Sequence, residues 1–553
     1  MTNDPDSGSF VIVGIHAPET DASRLADALR SADGVAWVID PGFVRAASAF
    51  DDLAPEGLVV GTGGWVGVIA GRDTSIGDAR LVSIACEALR LMDIEQNNTA
   101  ISGPAAFHAA LNEVSQRGLD RIVGAMTLLG GALIWTLTGS LRTAFASMAA
   151  ASLAQITLLG IASWSGTPMS MSLSIVPPLM LAFGLSYALH RAMVGASVAS
   201  IVWCAATTGV GIATFAMVDS PVIRGFGVWG AFGVAIVCIY VALLIPRGPR
   251  YNTAAPAPIA RFHLTRRPLL VFAGLVLVGG LAFVPRLRFE RNPIEMFPDS
   301  ARIVVDSQTI EERLTGCLPF EIRTTGSFDP REAMLITPGV RAVVPALWRE
   351  FESHTTIWWG LANNDSLGAL ATAAAELREA AQRQGASLVL GGVAGEVIAL
   401  SDSVRLVALL SIPSMLAVAF VSTSIAARSV RFGLAGVFVN ALPLGLVIAL
   451  VAMDRAVNVA DAFVGSVVIG ASIDDTIHVA MAYRSTGDPA RAVRSVARAC
   501  VSSTLVVAAC VICFALSGFP PTRAFGLMLA IGLVIALAGD LFVLPAAAPH
   551  RRW

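Results

Sequence analysis

The chain has 553 residues, 55% of them hydrophobic and only 14% charged, with a formal net charge of -2. That balance excludes an ordinary soluble globule, which carries nearly twice the charge, and selects the multi-span membrane proteins. All 38 basic residues are arginine, a bias of GC-rich coding that at this net charge implies no nucleic-acid partner.

The opening MTNDPDSGSF is polar and acidic and lacks the basic start and apolar core of a signal peptide. Residues 1–118 read as a small α/β unit, since FVIVGIH, DASRLADALRSA and VAWVID follow one another as strand, amphipathic helix and strand. A spanning helix needs about 20 apolar residues. Five such runs occupy 119–247, near 120–138, 144–164, 171–193, 197–218 and 226–246. An arginine-rich linker, 248–267, leads to a sixth run at 268–286, and a second polar α/β region covers 287–402. The last five runs fill 403–547, near 404–425, 432–453, 460–482, 499–517 and 523–546, and a short tail, 548–553, closes the chain.

Arginines mark alternate loops: Arg142, Arg191, the group Arg247 to Arg267, Arg428 with Arg431, Arg484 to Arg498, and Arg551 with Arg552. Because arginine is retained on the cytoplasmic side of short loops, the C-terminus is expected in the cytoplasm and both polar regions outside. The seven cysteines are scattered, five of them in apolar stretches, and no disulfide or metal site is assigned.

The two halves repeat. Pro221, Arg224, Phe226, Gly227 and Pro246 recur 299 residues later as Pro520, Arg523, Phe525, Gly526 and Pro545. An offset of 288 sets Ser186, Tyr187 and His190 against Asp474, Asp475 and His478. The predicted fold class is a polytopic α-helical membrane protein of two parallel helix repeats with two extracytoplasmic α/β domains. The second repeat opens with a spanning helix and the first does not, so a further helix is expected ahead of Met1, making twelve.

The segment GASIDDTIHVAMAYR, 470–484, puts two acids and a histidine inside an apolar span. A mid-membrane Asp costs about 2.5 to 3.5 kcal/mol, so an adjacent pair points to use. His478 lies one helical turn from Asp474 and Asp475, on the same face. Two close carboxylates away from water cannot both stay ionised, which suits a proton relay; the alternative is a buried polar knot that fixes helix packing.

On these residues the chain resembles the resistance-nodulation-division superfamily, in its branch of lipid and hydrophobe exporters of the mycobacterial membrane protein large and hopanoid-exporter types. The resemblance rests on Gly470 to Arg484, on FPPTRAFG at 519–526, on Asp540 ahead of LFVLP at 541–545, and on LRFERNPIEMFPDSAR at 287–302. It implies that the polar regions are porter domains, that no cofactor beyond a proton gradient is needed, and that Asp474 and Asp475 match the acid pair of the family's tenth helix. It also implies a bacterial inner-membrane location. Where many relatives carry Asp-Tyr in the fourth helix this chain has Ser186 and Tyr187, so the relay is asymmetric. About a pseudo-twofold axis Tyr187 is expected across from Asp474, and Ser186 across from Asp475.

His190 is read either as an interfacial residue or as a relay member, and Asp540 either as a helix-packing group or as a second proton station. The Pro177-Pro178 pair marks a candidate hinge in the fourth helix. Thr207-Thr208 and Ser502-Ser503-Thr504 are expected to bond back to their own helices, and Trp358 and Trp359 to be core residues rather than the wall of an apolar path. The expected function is proton-driven export of a hydrophobic or lipid-like substrate. The expected particle is a monomer or weak homo-oligomer in the lipid bilayer, without a tripartite outer-membrane channel, since each polar region is short. The alternatives are a sterol-sensing or Patched-like lipid sensor and a non-transporting accessory paralogue. No nucleophile, metal-ligand or phosphate-loop pattern points to an enzyme.

Overall fold

A computed structural model of the chain describes residues 9–48, 59–167, 171–247, 266–289, 292–325, 328–345, 355–454 and 457–550. The chain forms two compact units, Met1–Val114 with Arg291–Leu400, and Ser115–Glu290 with Ser401–Trp553.

In the first unit the order is β1 (Phe10–His16), α1 (Glu19–Arg30), β2 (Val35–Ile39), α2 (Pro41–Ser48), β3 (Trp65–Arg72), α3 (Asp78–Leu91) and β4 (Thr99–Ser102). Acids in the first turn of α1, Glu19 and Asp21, and Arg30 in its last turn complement the helix dipole. The sheet order is β2-β3-β1-β4 with antiparallel neighbours. Strands β5 (Leu318–Thr325), β6 (Val340–Pro345), β7 (Thr355–Ala362) and β8 (Leu388–Gly391) form a second sheet in the corresponding order, β6-β7-β5-β8. Both have the split β-α-β arrangement.

Strand alternation divides β1 between two cores. Val11, Val13 and Ile15 pack on Leu25, Leu29 and Leu81 of α1 and α3. Phe10 and Ile12 share the opposite core with Ile310, Cys317, Ala342 and Leu361 from the second half of the chain. Phe10 meets Trp359 edge-on at 5.7 Å, a contact worth about 0.5–1.5 kcal/mol beyond its buried area. Trp358 is buried in the other core of the second sheet, its Nε1 donating to Thr324 Oγ1 at 3.2 Å. Ile101 N donates to Asp306 Oδ2 at 3.1 Å, and the Ser102 and Ser307 hydroxyls lie 2.6 Å apart.

The second unit makes the chain a polytopic α-helical membrane protein. Among the described residues eleven helices are long and apolar enough to cross a membrane. They are α4 (Pro104–Thr138), α5 (Leu141–Trp164), α6 (Met171–Leu189), α7 (Val198–Ala213), α8 (Pro221–Leu244), α9 (Arg266–Leu281), α10 (Gly392–Ala427), α11 (Val430–Asp454), α12 (Val459–Thr486), α13 (Pro489–Ile512) and α14 (Pro520–Ala538). Each of the eleven apolar runs falls on one of them. Helices α4, α10 and α13 begin well before their apolar windows; in α4 the extension carries Phe107, Ala110 and Leu111, which pack on the core of the first unit's own α/β sheet. Such a stretch is amphipathic, so hydropathy alone does not count it.

Local geometry recurs at positions 299 apart. The tight turns Thr214–Met217 and Cys513–Leu516 precede helices starting at Pro221 and Pro520. Phe215 meets Phe226 at 5.5 Å, and Phe514 meets Phe525 at 5.6 Å, both edge-on. Beside each pair a glycine admits the neighbouring turn: a Cβ on Gly227 would lie 2.4 Å from Ala216 N, and one on Gly526 would lie 2.4 Å from Val511 O. Helices α9 and α11 meet backbone to backbone, where a Cβ on Gly280 would stand 2.0 Å from Gly445 O. Small residues of this kind let membrane helices approach closely.

Candidate functional site

Helix α12 carries the acid pair. It starts at a capping box, with Asn458 and Asp461 each accepting from the other's backbone N–H, and ends at Gly487 in the left-handed region (φ 68°). Its apolar stretch is almost wholly buried, which places Asp474 (4% exposed), Asp475 (6%) and His478 (8%) inside the bundle.

The two acids have different surroundings. Asp475 Oδ2 accepts from Thr504 Oγ1 at 2.8 Å and Oδ1 from Ser503 Oγ at 3.3 Å, both on α13. His190 Nε2 stands 3.5 Å from the same Oδ1, at ion-pair distance. Asp474 Oδ1 has Thr208 Oγ1 of α7 at 3.5 Å, and that hydroxyl has Gly470 O as a competing acceptor at 3.2 Å. An anion needs several donors when water is absent. Asp475 has them on both oxygens, whereas Asp474 has the long contact from Thr208 and the weak thiol donor of Cys204.

These partners correct the expected pairing. Tyr187 and Ser186 are buried, and among the described residues no hydrogen bond joins either to a carboxylate; Tyr187 stands near Asp474 without bonding it. The reason lies in the packing. Helix α12 lies against α7 and α13, whereas α6 packs on α8 and α13, so hydroxyls of the flanking helices reach the acids first. The Ser/Thr clusters thus depart from the back-bonding expectation. Thr207 does bond to Cys204 O at 2.8 Å, but Thr208 and Thr504 reach across to α12, and Ser503 divides its hydroxyl between Asp475 and Cys500 O at 3.0 Å. A hydroxyl inside a span has both options open, and the sequence does not name its neighbour helix.

His190 is not interfacial. It is 2% exposed and stacks on His478, with ring centroids 4.1 Å apart and planes 19° from parallel. It sits where α6 widens into the turn His190–Val194, which has the longer hydrogen-bond spacing often found at functional positions. His478 Nε2 lies 3.9 Å from Cys204 Sγ. Pro177 and Pro178 lie inside α6, upstream of the site.

Asp540, 1% exposed, lies in a second widened turn, Gly539–Val543. Its Oδ1 accepts from Thr476 Oγ1 at 2.8 Å. Thr476 accepts from Asn440 Nδ2 of α11 at 3.0 Å, and Asn440 Oδ1 accepts from Ser472 Oγ at 2.5 Å. Three donors therefore run in sequence toward Asp540, and the acid is joined to α12 at the residue after Asp475. Asn440, Ser472 and Thr476 went unread in the sequence, although an Asn inside an apolar span is itself a signal of interhelical bonding. Among the described residues no group of three or more His, Cys, Asp or Glu side chains is placed to hold a metal ion.

No family model matches the chain, and no curated protein does. Solved structures do. Two crystal forms of a heavy metal efflux pump superpose with TM-scores of 0.56 and 0.58 at 10% sequence identity, covering 98% of this chain and 86% of the pump. At that identity the likeness is one of fold.

Proposed function

We propose that the chain is a proton-driven secondary transporter of the resistance-nodulation-division superfamily that exports a hydrophobic or lipid-like substrate. The observation that carries this reading is the buried acid pair, with Asp475 held by Thr504, Ser503 and His190 from two other helices. Two carboxyls and two imidazoles share one membrane-buried site, where ionisable groups are costly and mark a function. The GASIDDTIHVAMAYR motif and the likeness in fold to an efflux pump support it.

In this reading Asp475 is the acid held by hydroxyl donors on both of its oxygens. Proton entry neutralises the pair and lets the helices on either side of α12 shift, with Pro177 and Pro178 as the hinge in α6. Asp540 is a second proton station. Residues 1–118 and 287–402 are porter domains on the outer side of a bacterial inner membrane, the C-terminus is cytoplasmic, and the two halves are repeats of one helix plan.

The test is a lipid profile of cells lacking the gene, complemented with wild type or with the Asp474→Asn, Asp475→Asn double variant, both shown to express. Failure of the double variant, with one lipid class retained inside, is expected and names the substrate class. Full complementation would mean that the acids only pack, and the lipid-sensor reading would replace this one.

A further inference from the structure

Helix α13 is longer than its counterpart in the first repeat. The offset of 299 carries the bounds of α7, Val198 and Ala213, onto Ala497 and Ile512, so α7 has no turns matching Pro489–Val496. These added turns hold Arg491 and Arg494, and Arg498 follows where α7 has Ala199. All three arginines are exposed. At about 100° per residue they fall in a sector about 60° wide. The same sector holds Leu505 and Ile512, each 50% exposed. Both lie on the uncovered side of a helix long and apolar enough to cross a membrane, which is the side that meets acyl chains. Along the axis Arg498 stands about 10 Å from Leu505, with Arg494 about 6 Å and Arg491 about 10 Å farther out. The arginines thus continue the lipid-facing stripe to the depth of the headgroups, while the opposite face of α13 carries Ser503 and Thr504 to Asp475.

The chain supplies little negative charge to this face. Arg491 Nε lies 3.6 Å from Asp488 Oδ2, and Arg494 Nε donates to its own helix at Ala490 O, 3.2 Å away. Among the described residues neither Arg494 nor Arg498 has an ion pair. Asp488 is already engaged as the cap of α13, accepting from Ala490 N and Arg491 N. It is also the one acid in the arginine-bearing connections 139–142, 189–197, 245–267, 427–431, 484–498 and 547–553. Arg191 and Arg247, on the connections of the first repeat, turn onto the backbone instead, at Ala242 O and Gly195 O. Like charges three and four residues apart repel on a helix, and a guanidinium fork matches the oxygens of a phosphate.

We propose that this face of α13 holds an anionic phospholipid, its phosphate on Arg494 and Arg498 and its acyl chains along Leu505 and Ile512. The lipid is a fixed partner of the helix and not the cargo, so the inference goes beyond the transport reading and does not depend on it. Charge and continuity select this occupant. A soluble anion would meet the arginines and leave the apolar half of the stripe unused, and a neutral lipid would do the reverse.

The experiment is native mass spectrometry of the full chain released from bilayers of phosphatidylglycerol and phosphatidylcholine in equal amounts, with the same acyl chains. Wild type is expected to retain phosphatidylglycerol in preference, and to keep it when excess inorganic phosphate is added. Each arginine near the headgroup layer favours an anionic lipid by about fivefold, so the combined Arg491→Gln, Arg494→Gln, Arg498→Gln variant should retain about 100-fold less. The corresponding triple Lys variant keeps the charge and should recover most of the retention. Arg142→Gln, Arg266→Gln and Arg267→Gln combined removes as many charges from other arginine-bearing connections and should leave it unchanged. Equal retention of the two lipids by wild type overturns the site, as does displacement of phosphatidylglycerol by phosphate. An equal loss in the control triple also overturns it, since the overall charge of that side would then be enough. The wild-type measurements decide the matter even if a variant does not fold. None of them reads transport, so their failure leaves the proton-driven reading where it stood.

Discussion

Thr504 donates its hydroxyl to Asp475 Oδ2 at 2.8 Å from the helix that follows α12 in the chain. A hydrogen bond to a charged group contributes about 1.5–3 kcal/mol, and Val has the same shape without the donor. Thr504→Val is expected to lower proton-coupled transport in proteoliposomes about 10- to 100-fold, and Thr504→Ser to keep most of it. Ser503→Ala should cost less, because Ser503 already divides its hydroxyl between Asp475 and Cys500 O.

Asn440 links Ser472 to Thr476, so Asn440→Leu removes two buried hydrogen bonds while Ser472 keeps Ile469 O and Thr476 keeps Asp540 as acceptors. The expected loss is about 1–3 kcal/mol, seen as a lower unfolding temperature in detergent. Asp540→Asn keeps an acceptor for Thr476 and should change stability by less than about 1 kcal/mol. If that variant also transports normally, Asp540 is a packing group and not a proton station.

The glycines beside the two phenylalanine pairs give a prediction with an internal control. A Cβ on Gly227 would stand 2.4 Å from Ala216 N and one on Gly526 2.4 Å from Val511 O, whereas one on Gly225 meets nothing within 4 Å. Ala at 227 or 526 should destabilise by about 1–3 kcal/mol. Ala at 225 should be neutral or stabilise by up to about 1 kcal/mol. Thermal unfolding of the three purified variants decides it.

Outside the membrane helices, burial pushes the Glu311 carboxyl up to about 7, with Asp365 adding to the effect. Hydrogen bonds from Asn364 N (2.7 Å) and Nδ2 (2.8 Å), and the charge of Arg341, act the other way without cancelling it. The folded state therefore holds this proton more tightly than the unfolded chain. Its stabilisation is complete below the unfolded carboxyl range near 4.5 and is lost as pH rises through about 7, by no more than about 3 kcal/mol. Hydrogen exchange at Asn364, corrected for intrinsic rate, should show protection falling over that window in wild type and staying level in Glu311→Gln.

The spans and the acid pair were legible because both are violations of composition, a long apolar run in one case and a charge inside it in the other. The ends of α4, α10 and α13 were not, since their outer turns are amphipathic and no longer apolar enough to count. The partners of Asp474 and Asp475 were misread for a different reason. Repeat symmetry suggested that α6 faces α12, but side-chain contact follows which helices pack, and α7 and α13 flank α12 closely. The symmetry did hold at one position: His190 and His478, matched by an offset of 288, touch.

The meeting of Gly280 and Gly445 has a consequence for descent. Most of α9 faces away from the protein, so its other apolar positions are free to exchange among themselves at little cost. At the crossing, any side chain on Gly280 would strike the Gly445 carbonyl, and a change at Gly445 would press on the backbone of Val276 and Leu277. A lineage that replaced one glycine would have to displace the whole helix before it could keep the other. Among related chains, these two positions should therefore vary together or not at all, against a background of apolar drift along the rest of α9.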